Sequence, residues 1–413
     1  MSLPSQRTRP RRAAVAFVLV TVALDILALG VIIPVLPNLV LSMVDGRTDQ
    51  AASAVGLFST AWAAAQLLAG PLLGMLSDRF GRRPILLLGN AALGLNYVLM
   101  ALAPTLGWLL AARVIAGMAG ATIPTATAYI ADVTAPERRA RAFGGIGAAF
   151  GIGFVLGPAI GGMLGGIDLR APFWLSAVLC LANALWGLFV LPESLPAERR
   201  APLRWSRANP VGSLRMLRER RGLGALATVA FLGYLAHEVY PAVFVLYAGH
   251  RYGWDETTVG LVLAAVGVLG AIVQGGLVGP IVARLGERRT LLTGLVAGAI
   301  GFAIYGSAST GTVFLVGLPV MALWGLSGVS AQSLMSRRVG IAEQGQLQGM
   351  LHGLRGLTGL LGPGLFSQSF RLGIAPGTPL ALPGLPFLLA SSLLLTALVV
   401  ATVARTTVAE PAR

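Results

Sequence analysis

The chain has 413 residues, of which 55% are hydrophobic and only 11% are charged, and its mean hydropathy is +0.78. A soluble domain carries about 25% charged residues, so this composition excludes a fold built mainly in water and predicts one that spans a membrane. The net charge is +15, and all of the basic residues apart from three His are Arg. These residues cluster in short stretches between apolar runs, which indicates orientation signals rather than a nucleic-acid surface.

The first apolar run follows the basic sequence RTRPRR and extends from about residue 13 to residue 40. It contains Asp25, Pro34 and Pro37, and it is longer than the roughly 7–15 apolar residues of a signal peptide. We therefore expect this run to be retained as the first membrane helix.

Apolar runs of similar length recur along the chain, and each can cross a bilayer core of ~30 Å at about 1.5 Å per residue. The predicted spans are 13–40, 53–74, 84–104, 107–131, 142–165, 171–192, 222–249, 257–284, 289–308, 312–335, 346–369 and 383–404. Twelve spans place both termini on one side. The stretches on that side hold most of the Arg residues, so the positive-inside rule predicts cytoplasmic termini.

A polar connector, residues 193–221, is the predicted domain boundary because it is the one long stretch rich in Pro and Arg. It separates an N-terminal six-helix bundle, residues 1–192, from a C-terminal one, residues 222–413. The second bundle repeats features of the first: GPIVARLGERR at 279–289 stands where GMLSDRFGRRP stands at 74–84. Matching loop positions favour two parallel repeats with a site between them over chance similarity of apolar helices.

The 74–84 loop is the most charged short connector, and we expect it to act in gating. Gly74 and Gly81 allow tight turns, and Pro84 can begin the next helix. The predicted gating residues of this loop are Gly74, Asp78, Arg79, Gly81, Arg82 and Arg83. The repeat has Ala283 where Asp78 stands, so we expect Asp78 to serve one half only, by capping the start of the eleventh span near Gly345–Gly349 as a latch. The alternative is that the loop only sets orientation.

Five motifs carry a resemblance to a known family over essentially the whole chain. The 74–84 loop resembles the loop between helices 2 and 3 of the major facilitator superfamily. LDILALGVIIPVLP (24–37), ARVIAGMAGA (112–121) and GFVLGPAIGG (153–162) resemble helices 1, 4 and 5 of its drug:H⁺ antiporters, and RYGW (251–254) resembles the tetracycline efflux group. The resemblance implies an all-α membrane protein of two pseudo-symmetric six-helix bundles. It also implies proton-coupled drug efflux by alternating access, located in a bacterial inner membrane.

Three positions differ from the tetracycline exporters that the chain resembles. Asn96 stands where that group has Asp, Gly270 where it has His, and Gly298 where it has Asp. In the family these groups serve drug–metal binding and proton coupling. Their absence weakens the inference to tetracycline itself and leaves proton-driven export untouched.

Ionisable residues inside the predicted spans are costly and therefore candidates for function. Asp25 lies about 18 Å along the first span and is the predicted proton-coupling carboxylate; the alternative is a structural pair with Arg113. We expect Arg113 to hold a neighbouring carboxylate ionised until a proton arrives. Glu238 is a second candidate proton site, with the alternative of an outer residue facing water. His237 beside it is a candidate because imidazole titrates near neutral pH, although an interior structural His is common.

Arg355 is an unusual second cation within a span. It could pair with Glu238, receive an anionic group of the substrate, or contact helix carbonyl groups, and His352 shares its helix face. Tyr234 and Tyr240 offer stacking surfaces for a planar or cationic drug, although such aromatic residues are often packing or interfacial anchors. Polar residues that could line a substrate cavity or join helices are Gln66, Asn96, Gln274 and Gln332. The family resemblance implies that Asn96 and Gln274 lie near the drug site, so we favour these two for substrate binding.

Two Gly-Pro pairs stand at equivalent positions in the two halves. Gly157-Pro158 and Gly362-Pro363 predict bends that suit rocking of one half against the other, with close helix packing as the alternative.

Other activities are not indicated by the sequence. Cys180 is the lone cysteine, no zinc spacing occurs, and no nucleophile–base–acid set appears, so we expect no enzyme, cofactor or metal site. The expected partners are a small-molecule drug, protons and the lipid bilayer, with the chain working as a monomer. The alternatives are an exporter of a sugar or other metabolite with the same fold and, more remotely, a membrane receptor without flux.

Overall fold

The computed structural model describes residues 8–120, 123–202, 223–340, 343–375 and 382–403. No strand occurs in these described ranges, and the expected all-α class is confirmed for them. The helices are α1 (Thr8–Ile32), α2 (Leu36–Ser42), α3 (Thr48–Phe80), α4 (Arg82–Leu102), α5 (Leu106–Ala119), α6 (Ile123–Val133), α7 (Pro136–Gly165), α8 (Ala171–Val190), α9 (Leu223–His237), α10 (Val239–Tyr252), α11 (Glu256–Ile272), α12 (Val278–Ser307), α13 (Gly311–Ala322), α14 (Gly325–Ser336), α15 (Gln344–Ile374) and α16 (Leu385–Val403).

Ten helical stretches within the described ranges are long and apolar enough to cross a membrane. The longest, Glu256–Ser307, contains Gly286 with φ 77° and ψ 159°, where the helical backbone is broken. A π-helical stretch, Val273–Leu277, joins α11 to α12. Helix α15 is not among the ten, and it carries His352, Arg355 and several Gln residues that lower its apolar character.

Several predicted spans are interrupted helices. The first ends at Ile32 and resumes as α2, because Pro34 lacks a backbone donor and Pro37 suits the first turn of a helix. The seventh is interrupted at Glu238, three residues before Pro241. The prediction of a loop over residues 74–84 is wrong in its length. Helix α3 continues to Phe80, so Gly74 is helical and Gly81 alone connects α3 to α4.

The chain forms two compact units. Unit 1 consists of residues 1–39, 61–210 and 255–264, and unit 2 consists of residues 40–60, 211–254 and 265–413. Each unit therefore includes one short segment from the other half of the sequence.

Unit 1 is packed by close approach of helix backbones. Helix α1 lies against α7 and α8, and α4 lies against α8. A Cβ added to Gly157 would lie 2.7 Å from the Cα of Gly30, and one added to Gly161 would collide with the carbonyl group of Val31. Such backbone contact requires glycine, because no side chain fits between the helices.

Unit 2 contains similar glycine contacts, such as Gly384 against the backbone of Gly306, and adds a cluster of aromatic side chains. Tyr305 and Phe314 stack with ring centroids 4.0 Å apart, and Phe387 lies 4.8 Å from Tyr247. The Tyr247 hydroxyl donates a hydrogen bond of 2.8 Å to the backbone oxygen of Tyr305. This cluster joins α10, α12, α13 and α16 into one core.

Candidate functional site

Asp25 lies within α1 with a carboxylate oxygen that lacks a partner. Its Oδ1 atom is buried and accepts no hydrogen bond, and the Nε of Arg113 in α5 is likewise buried without a partner. No ion pair within 4.0 Å joins these two side chains, both of which belong to the described ranges. The structural pairing considered for Asp25 and Arg113 is therefore not formed in this conformation. Electrostatic interactions link each of them to Tyr97.

An aromatic ring partners Arg113. Its guanidinium lies over the ring of Trp62, 5.4 Å from the centroid, in a cation–π arrangement. Gly117 permits this contact, since a Cβ there would collide with the backbone oxygen of Trp62. Gln66 follows Trp62 by one helical turn and lies near Gly120 of the same helix pair. The predicted residues Arg113 and Gln66 thus lie along the same contact between α3 and α5.

Sequence reasoning missed three residues of this region, Trp62, Tyr97 and Asn183. Tyr97 is 4% exposed, and Asn183 accepts a hydrogen bond of 3.2 Å from the Thr21 hydroxyl. The available signal for Trp62 was its spacing of four residues from Gln66. Tyr97 carried no such signal, because an aromatic residue in an apolar helix is usually a packing residue.

Glu238 occupies the break between α9 and α10. Its backbone turns there with φ −63° and ψ −12°, and Pro241 follows within the first turn of α10. Its Cβ and Cγ lie where a side chain on Gly362 would stand, so α15 packs directly on this acid. Within the described ranges no ion pair joins Glu238 to Arg355, and that predicted alternative is not observed.

His237 is exposed and belongs to an aromatic group rather than to an acid–base pair. Its ring lies 5.8 Å from that of Tyr240 and 6.0 Å from that of Trp324. Tyr240 continues into the aromatic core of unit 2 through Phe302 at 5.7 Å. This placement connects His237 with Tyr240 and leaves its predicted role in proton coupling a prediction.

Arg355 lines a polar cavity of about 200 Å³ within unit 2. Its guanidinium lies over the ring of Tyr234, 4.7 Å from the centroid. The remaining wall is formed by Gln332, Gln348, Leu351 and His352. His352 and Arg355 share one face of α15, as their spacing predicts.

The other predicted substrate residues are placed differently. Asn96 is completely buried, and its Nδ2 lies 3.6 Å from the Sδ of Met100. Gln274 is exposed in the π-helical stretch. Gly298 packs against Trp324, whereas a Cβ on Gly270 would meet nothing within 4 Å. Substrate contact by Asn96 and Gln274 stays a prediction.

The predicted gating residues at the end of α3 and the start of α4 form a charged network in unit 1. Arg82 pairs with Asp78 at 2.5 Å and with Asp132 of α6 at 3.3 Å. The same guanidinium donates a hydrogen bond of 2.6 Å to the Ser77 hydroxyl. Asp78 is thus engaged within its own turn, and Arg79 is exposed.

Glu193, at the start of the connector, caps the helix that follows this network. Its carboxylate accepts hydrogen bonds from the backbone N–H groups of Arg82 at 2.9 Å and Arg83 at 3.3 Å. Gly81 makes this possible, because a Cβ there would collide with the carboxylate and its φ of 107° suits glycine. The Arg83 side chain donates to the backbone oxygen of Leu188 at 2.7 Å. No motif in the sequence points to Glu193 as a cap.

The repeated turn in unit 2 contains one ion pair whose charges are reversed. Glu287 follows Gly286 and pairs with Arg337 at 2.8 Å, and it accepts a hydrogen bond of 2.6 Å from the Ser333 hydroxyl. Arg288 donates to the backbone oxygen of Ala401 at 2.9 Å. The contacts of the two turns therefore match in geometry and differ in polarity.

The segment GFVLGPAIGG packs on two sides within unit 1. Gly157 contacts α1, whereas a Cβ on Gly162 would collide with the backbone of Glu256 at the start of α11. Thr257 donates a hydrogen bond of 3.2 Å to the backbone oxygen of Gly162, and Asn38 donates one of 2.8 Å to Glu256. Helix α7 continues through Pro158, as α15 continues through Pro363.

Comparison with known proteins gives consistent matches. The sequence profile of the Major Facilitator Superfamily matches residues 17–363. The class C tetracycline resistance protein of Escherichia coli is 41% identical over 85% of this chain and 88% of its own length. The class G tetracycline resistance protein of Vibrio anguillarum is 40% identical over 85% and 89%. Among solved structures, the nucleoside transporter NupG has a TM-score of 0.75 at 13% identity, covering 95% of this chain and 99% of its own.

Proposed function

Because this chain belongs to the major facilitator superfamily, we propose that it exports amphiphilic drugs across the bacterial inner membrane in exchange for protons. The proposal draws on relatives that are named for tetracycline resistance and cover most of the chain. It also draws on a relative from Bacillus subtilis named multidrug resistance protein 2, which is 29% identical over 84% of the chain.

The observation that carries the proposal is the unpaired state of Asp25 and Arg113 inside membrane helices. An ionised carboxylate in an apolar interior needs water or a cation to be stable. A conformation in which no cation pairs with this carboxylate therefore differs in proton affinity from one in which a cation does. Such a difference between states is what couples proton movement to a conformational cycle.

We propose a topology of twelve spans with both termini cytoplasmic. The break at Gly286 divides Glu256–Ser307 into two spans, and α15 supplies the remaining one despite its polar residues. The distribution of Arg residues supports this orientation.

In the proposed alternating-access cycle a drug binds from the cytoplasmic side, and a change of conformation then releases it outward. Protonation of Asp25, with Glu238 as a second site, returns the transporter to its starting state, and the inward movement of protons supplies the energy. Tetracyclines are the first substrates to test because of the relatives' names. A monomer is sufficient for this cycle, since each chain contains both halves.

The test is drug uptake into inverted membrane vesicles with an imposed pH gradient. Wild-type chain should accumulate the drug and lose this accumulation when the gradient is collapsed. Asp25→Asn should retain drug binding and equilibrative exchange but lose gradient-driven accumulation by at least about tenfold, since a proton site that acts only in coupling contributes to that step alone. Asp168→Asn, at an exposed turn outside the helices, is the matched control. Uphill accumulation at full rate by Asp25→Asn would exclude Asp25 as the coupling site.

A further inference from the structure

The polar cavity beside Arg355 has no role in the proposed proton cycle. Its walls come from α9, α14 and α15, all within unit 2. Five of its six lining residues carry polar groups: Tyr234, Gln332, Gln348, His352 and Arg355. A polar cavity in a membrane helix bundle is costly to keep unless it binds water or a ligand.

The cavity has a single fixed charge, which is positive. Among the described residues no carboxylate lies within 4.0 Å of the Arg355 guanidinium. The Tyr234 ring beneath it, at 4.7 Å, stabilises a cation but does not neutralise it. The guanidinium is also exposed to the cavity, so its hydrogen-bond donors remain accessible. An anion is the ligand that completes this environment.

The donors around the cavity favour a planar anion. A guanidinium presents a rigid fork of N–H groups that matches the two oxygens of a carboxylate. The Gln332 amide lies 3.5 Å from the side-chain oxygen of Gln348, so these two side chains support each other between α14 and α15. His352 adds an imidazole one turn before Arg355.

The size of the cavity limits what it holds. A volume of about 200 Å³ is smaller than the roughly 300–1,000 Å³ of a pocket that encloses a drug-sized molecule. It accommodates one polar group of a ligand and its nearest atoms, while the apolar body of that ligand lies elsewhere.

We propose that this cavity binds the carboxylate of an amphiphilic organic anion or zwitterion, which sets the charge preference of the transporter. The inference rests on the proposed export function and names its substrate class. A carboxylate would form a bidentate pair with Arg355 above Tyr234, and an amphiphilic cation of the same size would be repelled.

The test uses two flat probes that differ in charge and hardly in shape, naphthoate and naphthamide. Binding of each to detergent-purified protein is measured by calorimetry for wild type, Arg355→Gln and Arg355→Lys. Arg371→Gln, an exposed change on the same helix outside the cavity, is the matched control. We expect Arg355→Gln to bind naphthoate about tenfold to hundredfold more weakly, as loss of a charged hydrogen bond implies. Arg355→Lys should keep part of this affinity, and naphthamide binding should not change.

Each outcome either supports or overturns the proposed anion site. Equal naphthoate affinity in wild type and Arg355→Gln, or no naphthoate binding to wild type, would overturn it. Unchanged naphthamide binding shows that Arg355→Gln is folded. If vesicles export drugs through Asp25 while naphthoate affinity ignores Arg355, the anion site is wrong and export stands. If no drug is exported while naphthoate affinity depends on Arg355, export is wrong and the anion site stands.

Discussion

The turn between α3 and α4 and the turn inside α12 have the same backbone conformation, but the charges of one ion pair are reversed between them. Gly81 and Gly286 have φ of 107° and 77° with ψ of 159° in both. Two residues later, Arg83 and Arg288 donate to backbone oxygens near the ends of α8 and α16. The two turns thus use the same glycine and the same arginine to join three helices.

The residue between them differs. Arg82 pairs with the acid Asp132, whereas Glu287 pairs with the base Arg337, and these partners lie at equivalent helix ends. Arg82 and Glu287 are almost equally buried, with 13% and 12% of their side chains exposed, but Arg337 is 74% exposed whereas Asp132 is 27% exposed. Arg82 also contacts Asp78. The two turns therefore have the same backbone conformation, but Arg82 in the first turn pairs with two acids, Asp78 and Asp132.

Exchanging charges within each pair gives the largest expected effect. The double variant Glu287→Arg with Arg337→Glu should keep at least about half of wild-type transport, because a pair whose Arg337 is 74% exposed is screened by solvent and the exchange preserves it. The double variant Arg82→Glu with Asp132→Arg should lose transport almost completely, because the new acid would lie beside Asp78 and Glu193. Drug uptake into inverted vesicles, normalised to the amount of protein, measures both.

The single variants Arg82→Glu and Glu287→Arg are the controls for this exchange. Similar residual transport in the two double variants would show that the turns are equivalent and would remove the distinction drawn here.

A smaller effect is expected when each glycine is replaced by alanine. Both positions lie in a region of φ and ψ that costs roughly 1–3 kcal/mol for other residues. At Gly81 a Cβ would also displace the Glu193 carboxylate, whereas at Gly286 it would meet nothing within 4 Å. Gly81→Ala should therefore lower the melting temperature in detergent by several degrees more than Gly286→Ala. Adding Glu193→Ala to both variants should remove most of the difference between them, and a persistent difference would contradict the role given to Glu193.

Much of the fold could be predicted from the sequence because apolar runs, Arg clusters and Gly-Pro pairs act locally. The interruption at Pro34 and the turn at Gly81 follow from the chemistry of single residues. The length of the 74–84 loop was overestimated, because helix continues through Gly74 and Asp78 when their neighbours pack well. Glycine lowers helix stability by only about 1 kcal/mol, which packing easily exceeds.

The candidate site was harder to predict, because its contacts join residues far apart in sequence. Arg113 and Trp62, or Glu238 and Gly362, have no local pattern that announces their proximity. Arg355 could be recognised as unusual from its depth in an apolar run. Its ring partner Tyr234, however, depended on how α9 packs against α15.

The smallest expected effect comes from neutralising Glu193, which caps the start of α4 after the first turn. Glu193→Gln keeps the side-chain shape but removes the charge that faces the N–H groups of Arg82 and Arg83. A carboxylate at a helix start contributes roughly 0.3–1 kcal/mol, and this one is exposed to solvent, so the expected loss is at the lower end.

Because Glu193 also accepts hydrogen bonds from the backbone N–H groups of Ser194 and Leu195, the connector should open more often in Glu193→Gln. Trypsin cleavage after Arg199 and Arg200 should then be about 1.5- to twofold faster, a factor that corresponds to the lower end of this range of free energy. Glu198→Gln, at an exposed acid of the same connector, should leave the cleavage rate unchanged. Equal acceleration in both variants would mean that connector charge, rather than the cap on α4, holds this segment in place.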